Sequence, residues 1–204
     1  MDILLLPTCY LPPASYFAVM MKNQALDVLI EQHEHFPKQT YRSRTSILGA
    51  NGQLDLYIPV KKGKDHHTKM KDVQISYDAE WQRLHWLSIQ TAYRSSAYFE
   101  YYEDDFAPFY EQKTYPFLLD YNIELTQLLL KLLRIEKVLG LTAAYHKEAE
   151  GIHDLRTLIH PKKPVVAPIK PYRQVFSDRH DFIPNLSIVD LLFNHGPQSA
   201  AYLL

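Results

Sequence analysis

The chain has 204 residues, a formal net charge of −1, and charged and apolar fractions of 22% and 47%. That length suits one domain with a substantial core, and the balanced charge argues against a nucleic-acid-binding field over the whole surface. A single cysteine, Cys9, excludes an intramolecular disulfide and any CxxC metal site.

One cysteine also points to a reducing compartment. The opening MDILLLPTCYLPP has no basic leader, and its apolar run before Pro7 is too short for a signal peptide or a membrane span. The expectation is a cytoplasmic protein. Ile3 to Leu6 reads as a buried first strand, followed by a loop from Pro7 to Pro13 and a helix from Ala14 to about Asn23. Loops at the ends of buried strands that lead into helices are where α/β folds put binding groups.

Ala25 to Glu34 begins as a second strand and turns polar at Glu31. Alternation places Glu31, His33 and His35 on one side, so a metal site of two histidines and a carboxylate is geometrically possible. Histidines two apart on a strand are commonplace, however, and no further strong ligand is fixed by spacing, so no metal is expected.

From Lys38 to Lys62 two β-patterned arms flank Asn51-Gly52, the strongest short hairpin signal. With Asn51 and Gly52 as the loop, Ile47 pairs with Leu56, Thr45 with Ile58 and Arg42 with Lys61. One face then carries Tyr41, Ser43, Thr45, Ile47, Leu54, Leu56, Ile58 and Val60 as core. The other carries Lys38, Thr40, Arg42, Arg44, Ser46, Tyr57 and Lys61. Residues two apart on a strand lie roughly 6.6 Å from each other, so Lys38, Arg42, Arg44 and Lys61 form a compact cationic patch. Its arginine forks suit phosphate or carboxylate oxygens. The competing reading is an ordinary solvated sheet face.

Lys61 to Lys71 reads as a charged loop, and Val73, Ile75 and Tyr77 alternate as a third strand. Asp78 is the expected N-cap of a helix from Ala79 to about Arg94, with Trp81, Leu84, His85, Ser88 and Ala92 on one inward face. His85 there is either a satisfied core histidine or a proton-transferring one. Pro108 and Pro116 each fit the first turn of a helix, the second helix running to about Val138 and ending at Gly140. Leu141 to Tyr145 is a candidate short strand, Asp154 to Ile159 a helical turn or two, and HPKKPVVAPIKP an extended connector. Ser187 and Asp190 match a capping box opening a last helix that Gly196 closes.

Dinucleotide, P-loop, zincin and α/β-hydrolase motifs are all absent from the sequence. Nothing implies a bound cofactor. The fold expected is α/β (mixed α+β), a single domain over residues 1–204, with a small mixed sheet that includes an antiparallel hairpin at 41–60 and is packed by several helices.

Four stretches together resemble the WbqC-like protein family of bacterial surface-polysaccharide and O-antigen gene clusters. They are Pro7 to Pro12 with Tyr16-Phe17, Lys38 to Arg44 leading to Ile58-Pro59-Val60, Trp81 and His85 with Tyr93, and Phe182 to Gly196. Cys9 stands where the family carries a small polar residue, which counts against a family-wide nucleophile there. Gln32-His33 replaces a pair of acids. The resemblance implies a role in making cell-surface glycan, in a transfer step on an activated amino sugar.

Two functions follow. The first is a transferase-like enzyme of acyl or aminoacyl type acting on a phosphate- or nucleotide-linked amino sugar. Lys38, Arg42, Arg44 and Lys61 would hold the phosphates, with Tyr57 among them as a further substrate-binding residue, His85 would be the general base, and Cys9 and Tyr10 would line the acceptor pocket. The second is a non-catalytic partner or regulator of glycan-biosynthesis enzymes, using the basic face and the segment Tyr98 to Tyr110 as its contact surface. His85 and the hairpin cations lining one pocket would favour the enzyme.

Overall fold

Ile3 to Leu6 is uninterruptedly apolar because it becomes an inner strand. In the computed structural model, which describes residues 2–61, 67–146 and 151–204, β1 (Ile3–Pro7) pairs in parallel with β2 (Asp27–Glu31) on one side. The helix α1 (Ala14–Lys22) makes the crossover between them. Such a parallel pair needs a crossover of this kind, and burial on both faces explains the continuous Leu/Ile/Val run.

The hairpin comes next, as β3 (Arg44–Gly49) and β4 (Gly52–Tyr57). It forms its own two-stranded sheet instead of joining the parallel one. Its register differs from the sequence reading by two residues, because Gly49 pairs with Gly52, Thr45 with Leu56 and Ile47 with Leu54. The turn residues are therefore Ala50 and Asn51, and Gly52 supplies the positive φ of 101°. A two-residue shift preserves the faces, so Thr45, Ile47, Leu56 and Ile58 remain buried as expected, while Leu54 near the tip is 41% exposed.

Residues 62–66 of the expected charged loop lie outside the described residues. The expected strand at Val73 to Tyr77 is reduced to isolated bridges, Val60 with Ile75 and Gln74 with Phe117, although Val73 and Ile75 are buried. Helix α2 (Trp81–Tyr93) begins after Glu80, and the Asp78 carboxylate is taken by the Ser76 hydroxyl at 2.7 Å instead of capping it. Its buried face carries Trp81, His85, Trp86, Ile89 and Tyr93, while Leu84 and Leu87 point outward at 57% and 55% exposure.

Helix α3 (Phe99–Glu111) runs through Pro108, which sits in its last turn, because Phe99, Phe106 and Tyr110 form one buried stripe. Helix α4 (Leu118–Leu132) is shorter than expected, since Arg134 turns left-handed at φ 57°. Gly140 therefore lies in β5 (Leu139–Leu141), where a Cβ would come within 2.6 Å of Leu29 Cδ2. β6 (Ile152–Asp154) completes the sheet, in the order β5-β2-β1-β6 with every pairing parallel.

Helix α5 (Ile188–His195) follows the extended connector. The Ser187 hydroxyl accepts from the Val189 N–H at 3.4 Å, and Gly196 at φ 53° closes the helix against the Tyr98 ring, leaving no room for a Cβ. Asp190 does not close the capping box. It is fully buried and accepts hydrogen bonds from Tyr93 Oη (2.8 Å), Tyr172 Oη (2.6 Å) and Gln174 Nε2 (3.0 Å). No described helix is long and apolar enough to cross a membrane.

Candidate active site at the carboxyl edge of the sheet

Since every pairing in the four-stranded sheet is parallel, the strand C-termini emerge along one edge. The residues that follow them there are Thr8, Cys9 and Tyr10 after β1, Gln32 to His35 after β2, Thr142 to His146 after β5, and Leu155-Arg156 after β6. Open α/β sheets bind their ligands outside this edge, at the point where the strand order reverses. Here that point is β1, with β2 on one side and β6 on the other.

Glu31, the last residue of β2, is wholly buried. Its carboxylate accepts the main-chain N–H of His33 (2.8 Å), the Thr142 hydroxyl (2.9 Å), the main-chain N–H of His146 (3.1 Å) and Arg156 Nη1 (3.1 Å). Arg156 is shared with Asp154, donating from Nε (2.9 Å) and Nη2 (2.6 Å), and also donates to the His146 carbonyl (2.8 Å). Although burial works against it, hydrogen bonds from Arg156 hold the Asp154 carboxyl below its ordinary range. A second buried pair lies beside the first. Arg42 grips Glu34 with Nε (2.8 Å) and Nη2 (2.9 Å) and reaches the Arg156 carbonyl with Nη2 (3.1 Å). Burial raises the Glu34 carboxyl above its usual value despite that arginine. These carboxylates and guanidiniums satisfy one another, as buried charges must, and they lock the loops after β2, β5 and β6 into one arrangement.

Over these loops opens a cavity of about 440 Å³ lined by His33, His35, Lys69, Ala143, Ala144 and Tyr145, a size typical of small-molecule sites. His33 Nε2 lies 3.1 Å from the Thr142 carbonyl. A carbonyl only accepts, so Nε2 carries the proton and Nδ1 keeps a free lone pair. Lys69 forms no ion pair among the described residues. The Tyr145 ring is held by the Arg156 guanidinium at 5.0 Å from its centroid and is 53% exposed. Among the described residues, no three histidine, cysteine, aspartate or glutamate side chains are grouped to hold a metal ion. The alternation that put Glu31, His33 and His35 on one side stops where β2 ends at Glu31.

The residues singled out from sequence fall into separate groups, His85 with Tyr10 in one and Arg44 with Tyr57 in another, and do not share one pocket. Arg42 is 2% exposed and lies in the turn before β3, so strand alternation does not apply to it. Arg44 pairs with Asp55 and lies 5.0 Å over the Tyr57 ring, and Asp55 also accepts from Ser46 Oγ at 2.6 Å. Lys38 and Lys61 are exposed. The cationic patch is thus divided into two ion pairs, Arg42–Glu34 and Arg44–Asp55, and two exposed lysines.

Cys9 and Tyr10 are both fully buried. Burial pushes the Cys9 thiol up to about 12, the nearby Arg42 only partly opposing it, so Cys9 is not poised as a thiolate. His85, 5% exposed, lies in an aromatic cluster: Nδ1 is 2.9 Å from Tyr10 Oη, which is 3.1 Å from Tyr110 Oη, and Trp81 meets the ring edge-on. None of these residues lines the 440 Å³ cavity.

His85 has a measurable consequence all the same. Burial lowers its pKa from 6.5 to about 4, with a hydrogen bond to the Tyr57 main chain opposing. Between those values the unfolded chain binds more protons than the folded one. The contribution is therefore complete above about pH 6.5 and lost as pH falls toward 4, amounting to about 3 kcal/mol at most. Urea unfolding should show wild type losing about 2 kcal/mol more than His85→Gln between pH 7 and pH 5; equal losses would mean that the imidazole titrates normally.

Lys69, Tyr145, Thr142 and Arg156 escaped the sequence reading. Their only common signal is position, each lying at or facing the end of a strand that pairs far along the chain.

The WbqC-like protein family model matches residues 8–163 and 164–202. The chain is also similar to the uncharacterized protein Rv1507c of Mycobacterium tuberculosis, 22% identical over 222 residues that cover 95% of this chain and 94% of that protein. No solved structure matches it significantly. With a match across nearly its whole length, the chain belongs to the WbqC-like protein family.

Proposed function

We propose that this protein is a transferase-like enzyme of cell-surface polysaccharide biosynthesis, working in the cytoplasm, that holds a phosphate- or nucleotide-linked amino sugar at the carboxyl edge of its parallel sheet. The observation that carries the reading is the cavity itself, in which Lys69, His33 and Tyr145 converge over the Glu31–Arg156–Asp154 network. Lys69 supplies charge for the phosphates, and the Tyr145 face stacks on a base or sugar ring. His33, oriented by the Thr142 carbonyl, is better placed than His85 to act as general base. In an acyl-type transfer from a thioester or ester, the sugar amine bonds to the acyl carbon and its proton passes to His33 Nδ1. The thiol or alcohol whose bond to that carbon breaks leaves with a proton returned from the same nitrogen.

A ligand that binds only the folded state raises stability by about 2.7 kcal/mol at a hundredfold excess over its Kd, which for a chain of this length is about 5–10 °C in Tm. UDP-N-acetylglucosamine, which already carries the N-acyl group that such a transfer installs and so stands in for the product, is expected to raise Tm in this way, and Lys69→Ala to weaken that binding by at least tenfold. An unmoved Tm, or a rise that survives in Lys69→Ala, refutes the proposal.

A further inference from the structure

Beyond the end of β2 the chain keeps a partner. Residues 67–71 run antiparallel along it: the Phe36 N–H donates to the Thr68 carbonyl (2.9 Å), the Met70 N–H to the Glu34 carbonyl (2.8 Å) and the Lys71 N–H to the Gln32 carbonyl (3.0 Å). His35 and Lys69 form the bridge pair of this short ladder. They stand between its hydrogen bonds, where cross-strand side chains share a face and approach most closely. Both line the 440 Å³ cavity. His67, two residues before Lys69, comes back to the same face, and its ring centre lies 4.9 Å from that of His35 at a tilt of 43°.

Three nitrogen bases thus crowd one face with no acid between them. None of the three forms an ion pair among the described residues. The rings of His33 and His146 are taken by the Thr142 and Ala144 carbonyls, whereas no hydrogen bond among the described residues holds the ring of His35 or His67. Glu34, next to His35, belongs to the opposite face and is gripped by Arg42. Across the cavity Tyr145 rests on Arg156, whose charge is already met by Glu31 and Asp154. Like charges opposite each other on a ladder repel, so protonating both imidazoles beside Lys69 is unfavourable by itself. An anion set among them reverses the sign, because a nearby opposite charge favours the charged form.

We infer that His35 and His67 complete, with Lys69, the phosphate subsite of this cavity, and that the two imidazoles take up protons as a phosphate-bearing ligand binds. The inference rests on the carboxyl-edge reading and adds to it two ligand-contacting residues and a proton linkage. A bound phosphate raises the histidines' affinity for protons, so affinity for the ligand must rise as pH falls through the range where histidine gains its charge. The diester oxygens of a nucleotide-linked sugar stay ionised throughout that range and lysine stays cationic, which leaves the dependence to the histidines.

Titration calorimetry of the intact protein with UDP-N-acetylglucosamine at about pH 6 and pH 8.5, run in two buffers of different ionisation enthalpy, measures both the affinity and the protons exchanged. Binding at least about tenfold tighter at the lower pH, with net proton uptake, is expected. His35 and His67 are both exposed, so His35→Asn and His67→Asn should leave Tm in place. Each variant should lose most of the pH dependence and the proton uptake, binding several-fold more weakly at the lower pH and nearly as wild type at the higher. His33 also titrates in this range, and a pH dependence that persists in the two variants would belong to it and overturn the inference. Equal affinity at both pH values in wild type overturns it too, while leaving the carboxyl-edge reading in place. Absence of binding at either pH defeats both.

Discussion

Arg156→Met is expected to lower stability by about 3–5 kcal/mol, the range found when one member of a buried ion pair is removed and the other is left charged in the interior. Tm should fall by on the order of 10 °C. The reason lies in the partners. Glu31 is wholly buried and keeps three uncharged donors, but among the described residues Arg156 is the only cation that touches it. The same substitution frees the His146 carbonyl and one face of Tyr145, so it should loosen the cavity wall as well as the fold. Combining it with Glu31→Gln should cost less than the two changes summed, by at least about 1 kcal/mol, because residues sharing one network couple. Chemical denaturation of the four proteins measures this coupling, and strict additivity would show that the two residues do not act as a pair.

The second large effect separates two arginines only two residues apart. Arg42→Ala should cost about 3–5 kcal/mol, since its side chain is 3% exposed and holds Glu34 with two hydrogen bonds. Arg44→Ala should cost no more than about 1 kcal/mol, as that pair is 21% and 23% exposed. The Arg42→Ala loss should shrink as pH is lowered, because burial already raises the Glu34 pKa and a protonated Glu34 no longer needs a cation. Melting curves of both variants at pH 7 and pH 5 decide the matter; equal losses, or a larger one for Arg44→Ala, would contradict the assignment of Arg42 to the buried network.

This contrast also shows where the sequence was legible. The buried strand at Ile3, the helices at Ala14 and Trp81, the hairpin faces and the Ser187-to-Gly196 helix could be read because each is specified by neighbours within a few residues. Arg42 was misplaced because alternation was carried back past Arg44 into a turn, where successive side chains no longer take opposite faces. Asp190 looked like a cap because its spacing from Ser187 is right, yet its three donors come from Tyr93, Tyr172 and Gln174, distant in sequence. The same holds for the candidate site. Glu31, Thr142, Tyr145 and Arg156 meet because β5 and β6, three residues each, pair with the first two strands, and Lys69 joins them through its bridge to His35. Strands that short carry almost no periodicity, and nothing local marks the residues beyond them as functional.

The central claim is that ligand binds at the carboxyl edge of the parallel sheet, and the most direct test is an amide and side-chain chemical-shift titration of the ¹⁵N-labelled protein with UDP-N-acetylglucosamine. The predicted result is a saturable set of shifts centred on His33, His35, Lys69, Thr142 and Tyr145. Shifts confined to Arg44, Tyr57 and Lys61 on the hairpin or to the surroundings of His85, or no saturable shifts at all, would contradict it.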